Sequence, residues 1–211
     1  MVNNKRVSNA IVKARLERLQ KAFLAGQPWS KATLAHLREA SGKEPGSIPE
    51  IWQITSVPVP EEWHSDKPTW EEKAAHWVFI LYARHQQSKN QPMHSEGQNT
   101  AFGQAIKCLA SLDGRDDSPV NRRIKAAVSA DTLDSLCSHV SGLISQLRSK
   151  EIPLNYVQLY DDLVLFQQPG GADTVRRRWA RDYVNSCVKP QEDDGDSDGN
   201  KEEAIGTDYQ V

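Results

Sequence analysis

Apolar side chains recur along this 211-residue chain at spacings of three and four rather than two, the signature of helices with one buried face. Val12, Leu16, Leu19 and Phe23 form the first such stripe, in a helix predicted to open at Ser8 and to end at Gly26 and Pro28. Ser30 is the expected cap of a second helix that turns Leu34 and Leu37 inward and stops at Gly42. A short helix is expected over 49–55. Pro58, Pro60 and Pro68 then impose an extended connector, because proline fixes φ and lacks an N–H. Thr69 and Glu72, three residues apart, make a capping box. It opens a strong helix to about Gln87, with Trp70, Ala74, Trp77, Val78, Leu81 and Tyr82 on the buried side.

The polar run 88–99, with Pro92 and Gly97, reads as a loop. A helix follows over 100–112, and the turn-rich 113–117 marks a hinge. Ser118-Pro119 starts a helix that reaches about Ala130. Asp131 is the expected cap of the next, whose Leu133, Leu136, Val140, Leu143 or Ile144, and Leu147 keep the 3.6 period. Asn155 caps a helix carrying Leu159, Leu163 and Phe166, which Pro169-Gly170-Gly171 stops. Asp173 is the expected cap of the last, with Val175, Trp179 and Tyr183 on one stripe. Only 51–59 offers a strand, and its prolines demote it. The expected fold is therefore all-α, with about nine helices in two helical bundles. Residues 1–114 form an N-terminal helical domain, 115–189 an antiparallel four-helix bundle, and 190–211 a disordered acidic tail.

Charge is distributed unevenly. The net charge of −2 averages a tail, 191–211, of eight acids and one lysine with a body that keeps 25 bases and 20 acids. A basic body suggests an anionic partner, although ordinary solvated helix faces have the same composition. Cys108, Cys137 and Cys187 are widely spaced and form no C-x-x-C, which points to inert thiols in a reducing cytoplasm. No apolar run approaches the ~20 residues of a membrane span.

Catalytic chemistry finds little support. His36, His64, His76, His85, His94 and His139 form no metal-ligand spacing, and His76 reads as a half-buried, hydrogen-bonded side chain. Asp161-Asp162 point about 100° apart on a helix and read as a solvated pair. There is no phosphate loop and no nucleophile elbow. No catalytic group, no metal ligand and no cofactor is assigned.

The basic clusters are the stronger signal. Arg176, Arg177, Arg178 and Arg181 surround Trp179 and Tyr183 on the last helix, where Trp179 reads as core. Arg122, Arg123 and Lys125 form a second cluster. Arg84, Lys89 and Lys107, with Arg148, form a sparser third. Long cations at helical spacing suit phosphate contacts that need no base-edge geometry. Intrahelical pairs such as Arg178–Asp182 are the alternative, and charge alone does not separate the two.

Several segments, taken in order, resemble the CasB family, the small subunit of the type I-E CRISPR Cascade surveillance complex. They begin at Trp29 with Leu34-Ala-His-Leu-Arg38 and continue through the Trp-rich helix to His76-Trp77, then Thr100-Ala-Phe-Gly-Gln-Ala-Ile106. Asn121-Arg-Arg-Ile124, Ser129-Ala-Asp131 and the Leu-rich helix to Leu147-Arg148 match best. Pro153-Leu-Asn-Tyr156, Leu159-Tyr-Asp-Asp-Leu163 and Arg178-Trp-Ala-Arg181-Asp-Tyr183 complete the series. Together they cover roughly 30–185. The order of the motifs carries the likeness rather than any one of them.

The resemblance implies an all-helical, non-enzymatic cytoplasmic protein of a prokaryote. It implies packing beside a second copy of itself and other Cascade subunits, the backbone and the large subunit among them. It also implies contacts to crRNA, target DNA and the displaced strand, with no membrane and no small-molecule substrate. The family carries arginines around the turn that here reads Ser129, Ala130 and Thr132, and in the helix that here has Ser138 and Ser141. A helical adaptor that binds only protein fits the same helices, and a metal-dependent hydrolase is the remaining alternative.

Overall fold

The computed structural model describes residues 2–63, 65–112 and 119–186, with side chains from Ser8 onward. Nine α-helices occupy these residues: α1 (Val2–Leu24), α2 (Pro28–Glu39), α3 (Trp52–Thr55), α4 (Trp70–Gln86), α5 (Phe102–Ser111), α6 (Pro119–Val128), α7 (Leu133–Ser149), α8 (Tyr156–Phe166) and α9 (Gly171–Val184). Single 3-10 turns precede α3 and punctuate the proline connector. Among the described residues there is no strand, only one isolated parallel bridge between His94 and Leu154. The expected boundary at Gly114 and Arg115, the Ser118 cap and the tail 190–211 lie outside the described residues, as do His64 and Cys187.

The helix-forming signals hold where capping is strong and shift where it is weak. Thr69 and Glu72 make the expected capping box, the Thr69 hydroxyl accepting from the Glu72 N–H and the Glu72 carboxylate accepting from the Thr69 N–H. Asn155 caps α8 by accepting from the Gln158 N–H at 3.0 Å. Four expected positions need correction. The first helix opens at Val2, well before Ser8, since nothing in 2–7 breaks it. Ser30 lies inside α2, which Pro28 starts one turn earlier, and its hydroxyl donates to the Gln27 carbonyl. Thr132, not Asp131, caps α7. Gly170 precedes α9 at φ 70°, a left-handed conformation that glycine adopts without strain, so the helix begins two residues before Asp173.

One contiguous apolar core runs from Val12 on α1 to Trp179 on α9. α4 is its axis: Ala74, Val78, Phe79, Leu81 and Tyr82 are all buried, and α4 packs against α2, α7 and α8. Trp70 is the exception to the expected buried side of α4. It is 42% exposed, because it sits at the first helical position, beyond the neighbours that cover the next turns. α5 lies along α9, and α6 along α7. Gly103 permits the α5–α9 approach. A Cβ there would stand 2.2 Å from the Trp179 carbonyl oxygen, closer than any real contact. Phe102 then meets Trp179 with ring centroids 4.2 Å apart, and Trp179 is core as expected.

The polar run 88–99 is a loop stitched into the core. Met93 is fully buried and its N–H donates to the Gln86 Oε1. Leu154 N–H donates to the Met93 carbonyl, Ser95 N–H to the Leu154 carbonyl, and Asn155 N–H to the Thr100 carbonyl at 2.7 Å. Beneath it, the buried Tyr156 hydroxyl donates to the Leu81 carbonyl and meets the His85 Nδ1 at 3.0 Å. His94 Nδ1 accepts from the Tyr156 N–H. Burial pushes the His85 pKa down to about 3. The imidazole therefore stays neutral and serves as packing with hydrogen bonds. Buried polar groups need such partners because an unmade bond costs about 1–3 kcal/mol.

Candidate nucleic-acid interface

The last turn of α4 collects cations. Its final carbonyls carry the negative end of the helix dipole. Arg38 on α2 reaches the Ala83 carbonyl and Arg148 on α7 reaches the Arg84 carbonyl, each at 3.5 Å. Arg148 also donates to the Gln87 side chain at 2.9 Å. Burial, and secondarily the charge of Arg148, holds the Arg38 guanidinium below its usual range, with Glu39 opposing. Arg38, Arg84 and Arg148 thus converge from three helices although they are far apart in the sequence. Lys89, next in line, is bound to Glu151 at 2.8 Å.

Beside this cluster runs a polar groove of about 1000 Å³, walled by the 41–45 turn, α4 and the N-terminal half of α7. Lys43, Lys73 and Arg84 line it. On the α7 wall, Gly142 leaves room for the arm of Arg123, whose Nε would stand 3.0 Å from a Cβ there. Arg123 therefore crosses from α6 onto the groove wall. Three carboxylates also line the groove, but two are engaged. Asp134 accepts from the Trp77 indole N–H at 3.0 Å, and Asp131 lies 3.9 Å from the Arg176 guanidinium. Half-exposed Trp70 stands at one end. Such a channel can follow a polyanion by charge, and Trp70, Trp77 and Phe166 add aromatic lining to it.

The remaining cations divide. Lys125 is exposed on α6, Arg122 beside it has an interaction within the chain, and Lys107 lies over the Tyr183 ring at 5.1 Å. Arg177 and Arg181 are exposed on α9, Arg177 donating to the Thr174 hydroxyl. Arg176 and Arg178 serve the fold. Arg176 donates to the Ala130 carbonyl at 2.8 Å and to Asp173 at 3.0 Å. Arg178 pairs with Asp162, which also accepts the Trp179 indole N–H at 2.7 Å.

Asp162 overturns two expectations. The Asp161-Asp162 pair is not solvated: Asp162 is 1% exposed, and Asp161 accepts from the Asn9 side chain on α1 at 2.8 Å. Arg178 finds this buried carboxylate instead of Asp182 one turn on. Burial pushes the Asp162 pKa up to about 6, while Trp179 and Arg178 pull the other way. Sequence reasoning missed Arg38, Lys43 and Lys73. Arg38 entered only as the end of the Leu34-Ala-His-Leu-Arg38 motif, with no role assigned, and nothing local marks Lys43 or Lys73; the meeting of α2, α4 and α7 singles them out.

Of the described histidines, His36, His76, His85 and His94 have partners within the fold. His76 is buried, with Nε2 2.9 Å from the Lys43 carbonyl, and His36 lies 3.5 Å from Glu39. Among the described residues no group of three His, Cys, Asp or Glu side chains is placed to hold a metal ion. None of the helices there is long and apolar enough to cross a membrane.

Comparison with known proteins bears on the same residues. The family profile of the CRISPR-associated protein Cse2 matches residues 33–183. Among solved structures, CasB from Thermobifida fusca superposes with a TM-score of 0.67 at 29% identity, covering 83% of this chain and 97% of that one. A CRISPR-associated protein of the Cse2 family from Thermus thermophilus gives a TM-score of 0.59 at 22% identity, covering 83% of this chain and 98% of that one. A chain of a CRISPR RNA-guided surveillance complex gives 0.61 at 20% identity, over 84% and 93% of the two chains. No curated protein sequence matches significantly.

Proposed function

Since this chain belongs to the CRISPR-associated protein Cse2 family, we propose that it is a non-catalytic small subunit of the type I-E CRISPR Cascade surveillance complex. It packs as a pair along the crRNA-bound backbone and holds the crRNA–target DNA R-loop, displaced strand included, in the prokaryotic cytoplasm. The observation that carries this reading is the groove lined by Lys43, Lys73 and Arg84, with the arm of Arg123 packed against Gly142 of its α7 wall.

An R-loop exchanges one duplex for another of similar stability, so a few backbone contacts decide its lifetime. Cations on rigid helices supply them without reading sequence. Arg122, Arg123 and Lys125 on α6, with Arg84 and Arg148, are the primary phosphate contacts. Lys107, Arg177 and Arg181 are secondary. Lys89, Arg176 and Arg178 are already committed to Glu151, Ala130 and Asp162, and they act by shaping the surface.

The test uses the assembled complex with guide RNA. Charge reversal at Arg122 and Arg123 should weaken target-DNA binding and lower the slope of log affinity against log salt by ~2, about 0.9 for each phosphate no longer neutralised. Unchanged affinity and slope would remove α6 from the interface.

A further inference from the structure

A second groove, apolar and of about 380 Å³, lies between α5, α6 and α9. Its volume falls within the ~300–1,000 Å³ of ordinary binding clefts. Ile106, Ile124, Val128, Trp179, Tyr183 and Val184 supply apolar lining. Val184 is 78% exposed and Val128 38%, so apolar surface stands open to water at the end of α9. The rim is basic. Lys125 lines the groove, Lys107 sits over Tyr183, and Arg177 and Arg181 occupy neighbouring helical positions to Ala180 and Val184. An occupant should therefore carry acids around a few apolar side chains.

The chain supplies such a segment immediately after α9. Residues 191–211 hold eight acids and one lysine, and Ile205 and Tyr209 follow the acidic run. Ile205 lies nineteen residues beyond Ser186. Fully extended, that length of chain reaches about 60 Å, far more than the way back to a groove whose own wall is Val184. Tethering at such a length gives an effective concentration of order millimolar, so even weak docking is populated. We infer that segment 191–211 docks in cis on this groove, Ile205 and Tyr209 in the trough and its carboxylates against Lys107, Lys125, Arg177 and Arg181.

The docking stands on groove, charge and tether, independently of the proposed function. One consequence does rest on that reading: the docked segment covers Lys125 together with the secondary phosphate contacts Lys107, Arg177 and Arg181, and must be displaced by a polyanion. The segment then keeps an unassembled subunit off stray nucleic acid, and guide or target displaces it.

The experiment is amide hydrogen exchange on the full chain without nucleic acid, compared with Ile205→Asn/Tyr209→Asn. Exchange at amides in 122–128 and 179–184 should rise about tenfold in the variant, with α4 and α8 unchanged as internal controls. High salt should produce part of the same rise in the unsubstituted chain. Identical exchange in the two chains would overturn the proposal. Protection that fades on dilution would also overturn it, assigning the groove to a second copy. Because no nucleic acid is present, failure here leaves the proposed function untouched, and failure of that function leaves this result intact.

Discussion

Arg178 on α9 reaches inward to Asp162, a carboxylate with almost no exposure, whereas Arg123 on α6 lies along the outside of α7 at Gly142. Both stand in runs of consecutive arginines. In α9, helix packing presents acceptors: Asp162 from α8 and the Ala130 carbonyl from the α6–α7 turn. There the guanidinium's fork of donors satisfies buried oxygens. In α6 the facing surface of α7 offers a glycine and a groove, so the Arg123 cation remains at the surface. The difference teaches that a basic cluster reports function only after its internal partners are counted. A surface ion pair contributes little, but removing one partner of a buried pair leaves a stranded group.

Breaking the α9 side should therefore cost stability, and breaking the α6 side should not. Asp162→Ala leaves Trp179 Nε1 and Arg178 without their shared acceptor. It is expected to destabilise the fold by ~1–3 kcal/mol, the cost of the unmet buried indole N–H, because Arg178 is 38% exposed and keeps water as a partner. Arg123→Ala should change stability by less than ~0.5 kcal/mol, both read from the denaturation midpoint. Equal shifts would erase the distinction. Similar in size is Gly103→Ala. It adds a methyl against the Trp179 carbonyl, where backbone must move, and should cost roughly 1–3 kcal/mol and loosen α5 from α9.

A pH series sharpens the same contrast. Asp162 has its folded pKa raised to about 6 from an ordinary 3.8. A raised carboxyl binds its proton more tightly when folded. Its contribution is thus fully present below the unfolded value and is lost as pH rises through about 6. His85 runs oppositely: with a folded pKa of about 3, its contribution is present above the ordinary 6.5 and is lost as pH falls. Comparison with Asp162→Asn isolates the first effect. On acidification through the 6 to 3.8 window, the unsubstituted chain should gain stability relative to the variant, and a flat difference would place the carboxyl outside the buried site. The smallest effect belongs to Gly142→Ala. Helix propensity favours it by ~0.5–1 kcal/mol, but Arg123 must give way by a few tenths of an ångström. The chain should become slightly more stable, and DNA affinity should fall only modestly.

The helices were legible because most carry an apolar stripe and, among the described residues, three carry a side-chain cap: Leu16 and Leu19, Thr69 with Glu72, and Asn155 needed nothing beyond local spacing. The family motifs in 33–183 were legible for the same reason, as ordered local patterns. What escaped were pairings set by tertiary approach. Met93 and His94 look like loop residues until Leu154 and Tyr156 supply partners some sixty positions away. Asp162 looks solvated until α9 folds over it. Arg38 looks like any helix-surface cation until α4 ends against it beside Arg148. Residue type and spacing do not encode which helix will lie opposite.

The central claim is that the cations at the α4–α7 groove, rather than those of α9, grip the polynucleotide. Its most direct measurement is target-DNA affinity across a salt series for the assembled complex carrying Arg84→Gln/Arg123→Gln or, separately, Arg177→Gln/Arg181→Gln. The groove pair should lose roughly tenfold in affinity or more and lower the salt slope by ~2, and the α9 pair should move both by less than half as much. Equal losses, or a larger loss from α9, would contradict the account.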